Sequence, residues 1–197
     1  MTLARGTDRI ESARLVLRRI GRDDFDFFIH LNADPEVARF LPHGKPRSPE
    51  QSLAWLQSVL RSYEDFGLGQ LAVLRKSDRA LIGRCGLSDL AVEVAAGAAA
   101  VPRGWYQRTQ APSGADLIFE QELGYTFDRG SWGQGYASEA ARCVFDYACD
   151  VPRLSRVVSL IHPDNSRSLR VAQRFGVQRE DTVEVMSRLY DRFVWPV

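Results

Sequence analysis

Between Asp128 and Ala140 the chain reads DRGSWGQGYASEA, three glycines set between a strand-like run and an amphipathic helical one. No other stretch limits the fold so much. Glycine reaches left-handed backbone angles that other residues avoid. Such a turn can therefore free successive backbone N–H groups and aim them, with the positive end of the helix dipole, at a phosphate. The physical reading is a pyrophosphate cradle, while the glycines alone also suit a turn that serves only connectivity. Three familiar motifs fail here. A Walker loop needs lysine after Gly135 and finds Tyr136, a dinucleotide fingerprint needs glycine at Ser138, and a nucleophile elbow needs glycine at Arg129.

The text on either side alternates like an α/β domain. Arg14 to Arg18 suits a first strand, and Gly21 to Asp24 a turn and cap. A helix follows with Phe25, Phe28, Ile29, Leu31 and Asn32 on its apolar face, ending before Asp34-Pro35. The stretch from there to Pro49 reads as irregular. Ser48-Pro49-Glu50-Gln51 is a capping box with proline at the first helical position, opening a helix with Leu53, Leu56, Val59 and Leu60 inward. Gln70 to Leu74 and Ala80 to Leu87 form a hairpin around a polar turn. Leu117 to Phe127 is a strand, Ser138 to Cys149 a helix with Ala140, Ala141, Val144, Phe145 and Ala148 on one face, and Val157 to Ile161 a buried strand. Asn165 opens a last helix with Leu169, Ala172 and Phe175 inward and Gly176 at its C-cap, before two strands near Thr182 to Ser187 and Leu189 to Val194.

At 197 residues one domain is expected, with a flexible loop insertion at 91–115 where an alanine-rich run mixes with Pro and Gly. Trp105 and Tyr106 in that loop suit a flap over an acceptor site or a homodimer contact. The 26 Lys+Arg against 25 Asp+Glu leave a net charge of +1, too even for the basic field of a nucleic-acid binder. The three cysteines form no CxxC pair, and their odd number closes no disulfide framework, which fits a reducing cytoplasm. Neither a signal-peptide h-region nor a run of about 18 apolar residues occurs, so no membrane association is expected. The three histidines are scattered without metal-ligand spacing, and no metal is expected.

Leu123-Gly124-Tyr125, Trp132 to Ala137, and His162-Pro163-Asp164-Asn165-Ser166 before a helix ending Phe175-Gly176 together resemble the GCN5-related N-acetyltransferase (GNAT) superfamily. Arg14 to Arg18, Ala33 to Val37 and Phe40-Leu41-Pro42 are similar to the branch containing the ribosomal-protein alanine N-acetyltransferases. The resemblance covers nearly the whole chain except Ala91 to Ala115. It implies an α/β fold with a mixed, mostly antiparallel sheet flanked by helices and splayed where acetyl-CoA binds as co-substrate.

By the same resemblance the pyrophosphate sits on Trp132, Gly133, Gln134, Gly135, Tyr136, Ala137 and Ser138, with Trp132 in place of the family's Gln or Arg. Tyr125, Thr126 and Phe127 offer backbone to the pantetheine arm. Asn165 and Ser168 face the arm and sulfur, although Asn165 is equally read as a plain helix cap. Acyl transfer needs a neutral amine, positioning, and stabilisation of charge on the carbonyl oxygen. Glu120 and Glu122 lie two apart on one strand face, and Glu122 matches the family's base; two solvated carboxylates is the plainer alternative. Ala172 stands where many members carry the tyrosine that protonates the departing thiolate, leaving Ser168, water or solvent for that task. The expected function is an acetyl-CoA-dependent N-acetyltransferase acting on a primary amine, of a protein N-terminus or a small molecule, by direct attack in a ternary complex. The rival is a catalytically weak or inactive acyl-CoA-binding regulatory module.

Overall fold

Local chemistry sets the longest helix. Ser48 Oγ accepts from Gln51 N (3.2 Å), and Gln51 Oε1 accepts in return from Ser48 N (2.9 Å), so the capping box is closed at the start of the helix Pro49–Phe66. Gly67 ends it in the left-handed conformation. The structure, a computed structural model, describes residues 9–93, 105–108, 111, 113–114, 116–150, 154 and 156–196. In chain order the strands are β1 (Arg9–Glu11), β2 (Leu15–Arg19), β3 (Gln70–Arg75), β4 (Leu81–Glu93), β5 (Trp105–Gln107), β6 (Leu117–Phe127), β7 (Val157–Ile161), β8 (Gln178–Val185) and β9 (Arg188–Val194). The helices are α1 (Phe25–Ala33), α2 (Pro35–Ala38), α3 (Pro49–Phe66), α4 (Tyr136–Asp150) and α5 (Ser166–Arg174).

Packing divides the chain into two units, Met1–Ser88 with Leu123–Val151, and Asp89–Glu122 with Pro152–Val197. The first carries β1, β2, β3 and the opening of β4 in antiparallel order, together with the end of β6. A Cβ at Gly83 would collide with the Thr126 carbonyl oxygen and the Phe127 Cα, so glycine is what lets β4 lie this close to β6. α4 buries Tyr136, Ala140, Ala141, Val144, Phe145 and Ala148, the stripe its sequence period requires. The second unit holds the end of β4 with β5 on it, the start of β6, then β7, β9 and β8. β6 and β7 are parallel, with the short register Gln121↔Val157 and Glu122↔Val158, whereas β7–β9 and β8–β9 are antiparallel. The fold is the mixed, mostly antiparallel α/β class expected.

Several boundaries differ from the sequence reading. β1 and the short α2 were not anticipated; in α2, Asp34 Oδ1 caps Glu36 N and Val37 N. On α3 the buried set is Ser52, Leu56, Ser58, Val59 and Tyr63, while Leu53 is exposed, because a three-to-four spacing leaves the stripe's rotation undetermined. On α5, Val171 and Ala172 are buried and Leu169 and Phe175 only partly. β4 runs on to Glu93 because Leu90, Ala91 and Val92 are buried, and β5 pairs with it through Ala91↔Tyr106. Residues 94–104, 109–110, 112 and 115 of the proposed insertion lie outside the described residues. Among the described residues no helix is long and apolar enough to cross a membrane.

Candidate functional site

The glycine turn sits in the first unit, between β6 and α4. Asp128 ends the strand, its amide bonded to Ile82 O (3.0 Å), and its carboxylate accepts from Ser131 Oγ (2.6 Å) to close one 3-10 turn over Arg129–Ser131. Gly133 and Gly135 then take φ of +76° and +82°, angles that disfavour any side chain. A Cβ at Gly133 would meet nothing within 4 Å, and one at Gly135 only Arg14 Nη2 at 3.4 Å, so the turn opens onto space. Glu139 N donates to Gly135 O (3.1 Å), and the amides at the mouth of α4 have no acceptor within the helix. Backbone donors, a helix N-terminus and room for a ligand fit a phosphate group. The residues present therefore fit the pyrophosphate of acetyl-CoA.

Two features hold the turn, and sequence reading gave neither. Trp132 Nε1 donates to Phe127 O (2.8 Å), so the indole staples the turn to the end of β6, and the Phe127 carbonyl is engaged by protein. Arg14, just ahead of β2, donates through Nη1 to Gln134 O (3.0 Å) and through Nε to Glu139 Oε2 (2.7 Å), and its guanidinium lies 4.7 Å from the Tyr136 ring centroid. Glu139 Oε1 also accepts from Ser12 Oγ (2.6 Å) and Arg14 N (2.8 Å). Burial works to raise the Glu139 pKa, but these hydrogen bonds and the Arg14 charge outweigh it and hold the group below its ordinary range. Arg14 thus places a cation at the cradle wall. The hint was available in the family-like Arg14 to Arg18 run, but its tie to residue 139 is long-range. Tyr125, Thr126 and Phe127 end β6 in this same unit, with Thr126 and Phe127 buried. Ala137 and Ser138 lie in the first turn of α4, both half-buried.

The remaining candidates belong to the second unit, where the structure separates the two strand glutamates. Glu120 is 5% exposed and held by Arg156 Nε (2.7 Å) and Arg192 Nη1 (2.9 Å); Arg192 also binds Asp181 (2.5 Å). Both oxygens of the Glu120 carboxylate are thus taken up by guanidinium groups. Glu122 is half-buried, opposite Val158. Its charge reaches Tyr190, whose hydroxyl is pushed up to about 12 by burial, Arg188 lowering it and Glu122 raising it. Asn165 Oδ1 accepts from Ser168 N (3.2 Å), the helix-cap role of its two readings. Ser168 is half-buried in the first turn of α5, and Ala172 is buried one turn on. Among the described residues no group of three or more His, Cys, Asp or Glu side chains is placed to hold a metal ion.

The family model for the acetyltransferase (GNAT) domain matches residues 14–178. The uncharacterized N-acetyltransferase p20 of Bacillus licheniformis is 22% identical over 196 residues, covering 95% of this chain and 94% of the relative. An acetyltransferase from Agrobacterium tumefaciens str. C58 superposes with a TM-score of 0.70 at 24% identity, covering 98% of this chain and 97% of the other. The ribosomal L7/L12 alpha-N-protein acetyltransferase RimL, solved in complex with coenzyme A, has a TM-score of 0.68 at 15% identity, covering 95% of this chain and 96% of that one. The chain belongs to the acetyltransferase (GNAT) family and is, in class, an acetyl-CoA-dependent N-acetyltransferase.

Proposed function

We propose that this enzyme moves the acetyl group of acetyl-CoA to a primary amine, on a protein N-terminus or a small molecule, by direct attack in a ternary complex. The observation that carries the reading is the open turn at Gly133 and Gly135, left-handed and followed by a helix N-terminus. Acetyl-CoA supplies an activated acyl group with a thiolate leaving group. The amides from Gly133 to Ser138 bind the pyrophosphate, with Arg14 adding positive charge and Trp132 fixing the turn to β6. The Tyr125–Phe127 end of β6 orients the acyl arm. In the second unit Glu122 takes one proton from the amine as the N–C bond forms and the C–S bond breaks. Ser168 or water returns a proton to sulfur, a light task because a thiol of pKa about 8.5 leaves readily as thiolate. Asn165 contributes by capping α5 and so placing Ser168. The whole of residues 1–197 acts as one catalytic domain, and a soluble cytoplasmic location suits it.

Ala172 favours one other reading, an acyl-CoA-binding module without turnover. Calorimetric titration with acetyl-CoA and a thiol-release assay on a panel of amines separate the two. The proposal expects binding by the native protein, loss of at least tenfold in affinity in Gly135→Glu, and CoA release with at least one amine. Equal binding by native protein and variant removes the cradle from the account. Binding without release on any amine selects the module.

A further inference from the structure

The first unit also carries a cationic aromatic cluster that the cradle does not use. Trp55 on α3 has two guanidinium groups on its ring: Arg47, in the loop before α3, with Cζ 5.6 Å from the centroid, and Arg84, on β4, at 5.0 Å. Phe28 of α1 meets the same ring edge-on at 5.7 Å. Gln70 Oε1 accepts from Arg84 Nη1 (2.7 Å), and Gln70 is itself fixed by donating to Gly86 O (3.2 Å) and Ser88 Oγ (3.1 Å). Arg47 makes no ion pair among the described residues, and burial is the one cause lowering its pKa. Two carboxylates of the same unit are engaged elsewhere. Asp24 accepts two bonds from Arg18 (2.7 and 2.8 Å), and Asp34 caps α2.

Unused polar capacity lies next to this cluster. Arg47 N donates to Asn32 O (2.9 Å), and the Asn32 side chain, fully buried, has neither its amide nitrogen nor its oxygen hydrogen-bonded. Ser52 Oγ, one turn before Trp55, is likewise buried without a partner. Buried polar groups are ordinarily satisfied, and a partly desolvated cation without a carboxylate is electrostatically incomplete. Arginine supplies a planar fork matched to a carboxylate. Arg84 follows Gly83, whose Cα lies against Thr126 and Phe127, and neighbouring strands stand about 4.8 Å apart. The cluster is thus one strand away from the segment assigned to the acyl arm.

We propose that Arg47 and Arg84, around Trp55, form an acceptor subsite for a carboxylate, so that the amine acetylated belongs to an acidic molecule rather than a polyamine. This inference rests on the cradle being the acetyl-CoA site. Free amino acids and acidic peptide N-termini share this chemistry, and the assay separates them. The full chain with saturating acetyl-CoA is offered β-alanine against β-alaninamide, and Asp-Ala-Ala amide against Asn-Ala-Ala amide, with spermidine as cationic control. In one arm or both, the acidic member is favoured by about tenfold or more in kcat/KM, the scale of a charge-assisted hydrogen bond. Arg47→Gln brings that ratio toward one, and Arg47→Lys, which keeps the charge, retains part of it. Equal use of neutral acceptors, preference for spermidine, or an unchanged ratio in Arg47→Gln overturns the subsite. If no acceptor reacts, glutarate is titrated while indole fluorescence is followed, and a response lost in Trp55→Phe supports the subsite while no response overturns it. Calorimetry with acetyl-CoA on each variant reports on the cradle alone, so a failure there is a failure of the underlying reading.

Discussion

Position 132 departs from the family pattern, and the structure gives the departure a purpose. The indole N–H ties the glycine turn to Phe127 O, and the role proposed for the turn falls to its backbone amides, which need no side chain at 132. Glu120 and Glu122 teach a related lesson. Their two-residue spacing made them equivalent in the sequence, and only the long-range arrival of Arg156 and Arg192 separates a charge-network anchor from a candidate base. Glu122→Gln is therefore expected to lower kcat by about 10²–10⁴-fold with little change in melting temperature, read by steady-state assay and calorimetry. Glu120→Gln is expected to do the opposite. It costs about 3 kcal/mol or less in urea unfolding, since Asp181 remains on Arg192. Tyr63, whose hydroxyl accepts from Ile20 N (3.0 Å) and donates to Gln70 O, gives a third case. Tyr63→Phe leaves two buried backbone groups short of a partner, a loss of about 1–3 kcal/mol in the same measurement.

Elements were legible in the sequence to the degree that their signals are local. The start of α3, the caps at Asn165 and Gly176, and the strands β6 and β7 follow from residues within a turn of one another, and all are present as read. What depends on a distant surface was not legible. Leu53 faces outward while Ser52 and Tyr63 of the same helix are buried, Tyr63 reaching Ile20 and Gln70, and β1 exists by pairing with β2. β5 was hidden by alanine-rich text with no strand alternation. The cradle's glycines could be read directly, whereas the arginine beside them could not. At this scale Ser48→Ala removes one half of a closed capping box and is expected to destabilise α3 by about 1 kcal/mol, seen as a lower urea midpoint with an unchanged slope.

Across the molecule, ionisation ties stability to pH in a defined direction. Asp24 and Glu139 are held below their ordinary pKa values of 3.8 and 4.5 although burial opposes it, Asp24 by Arg18 and Glu139 by Ser12 and Arg14. Glu180 and Asp191 are lowered by hydrogen bonds from Arg156 and Arg179. Lowered carboxyl groups stabilise the fold above their unfolded pKa, and that stability drains away as acid protonates the folded form. The urea midpoint should therefore hold between about pH 5 and 8 and fall below the ordinary carboxyl values near 4. Tyr63 and Tyr190 are pushed up to about 12 by burial, so their contribution is present below the ordinary 10.0 and disappears as the pH rises through the folded value. A midpoint that stays flat from neutrality down to about pH 3 would contradict the assignment of these pairs.

The brace between Arg14, Ser12 and Glu139 bears on how fast a nucleotide is captured. A loop that must order around its ligand adds the entropy of ordering to the binding step. Here three hydrogen bonds from Ser12 and Arg14 fix Glu139 in the first turn of α4, and a fourth ties Arg14 to Gln134 O of the glycine turn, before any ligand arrives. The ordering belongs to folding, and the binding surface is rigid in advance. Loosening the brace should leave contacts to phosphate in place but make each encounter less productive, slowing association more than it hastens release.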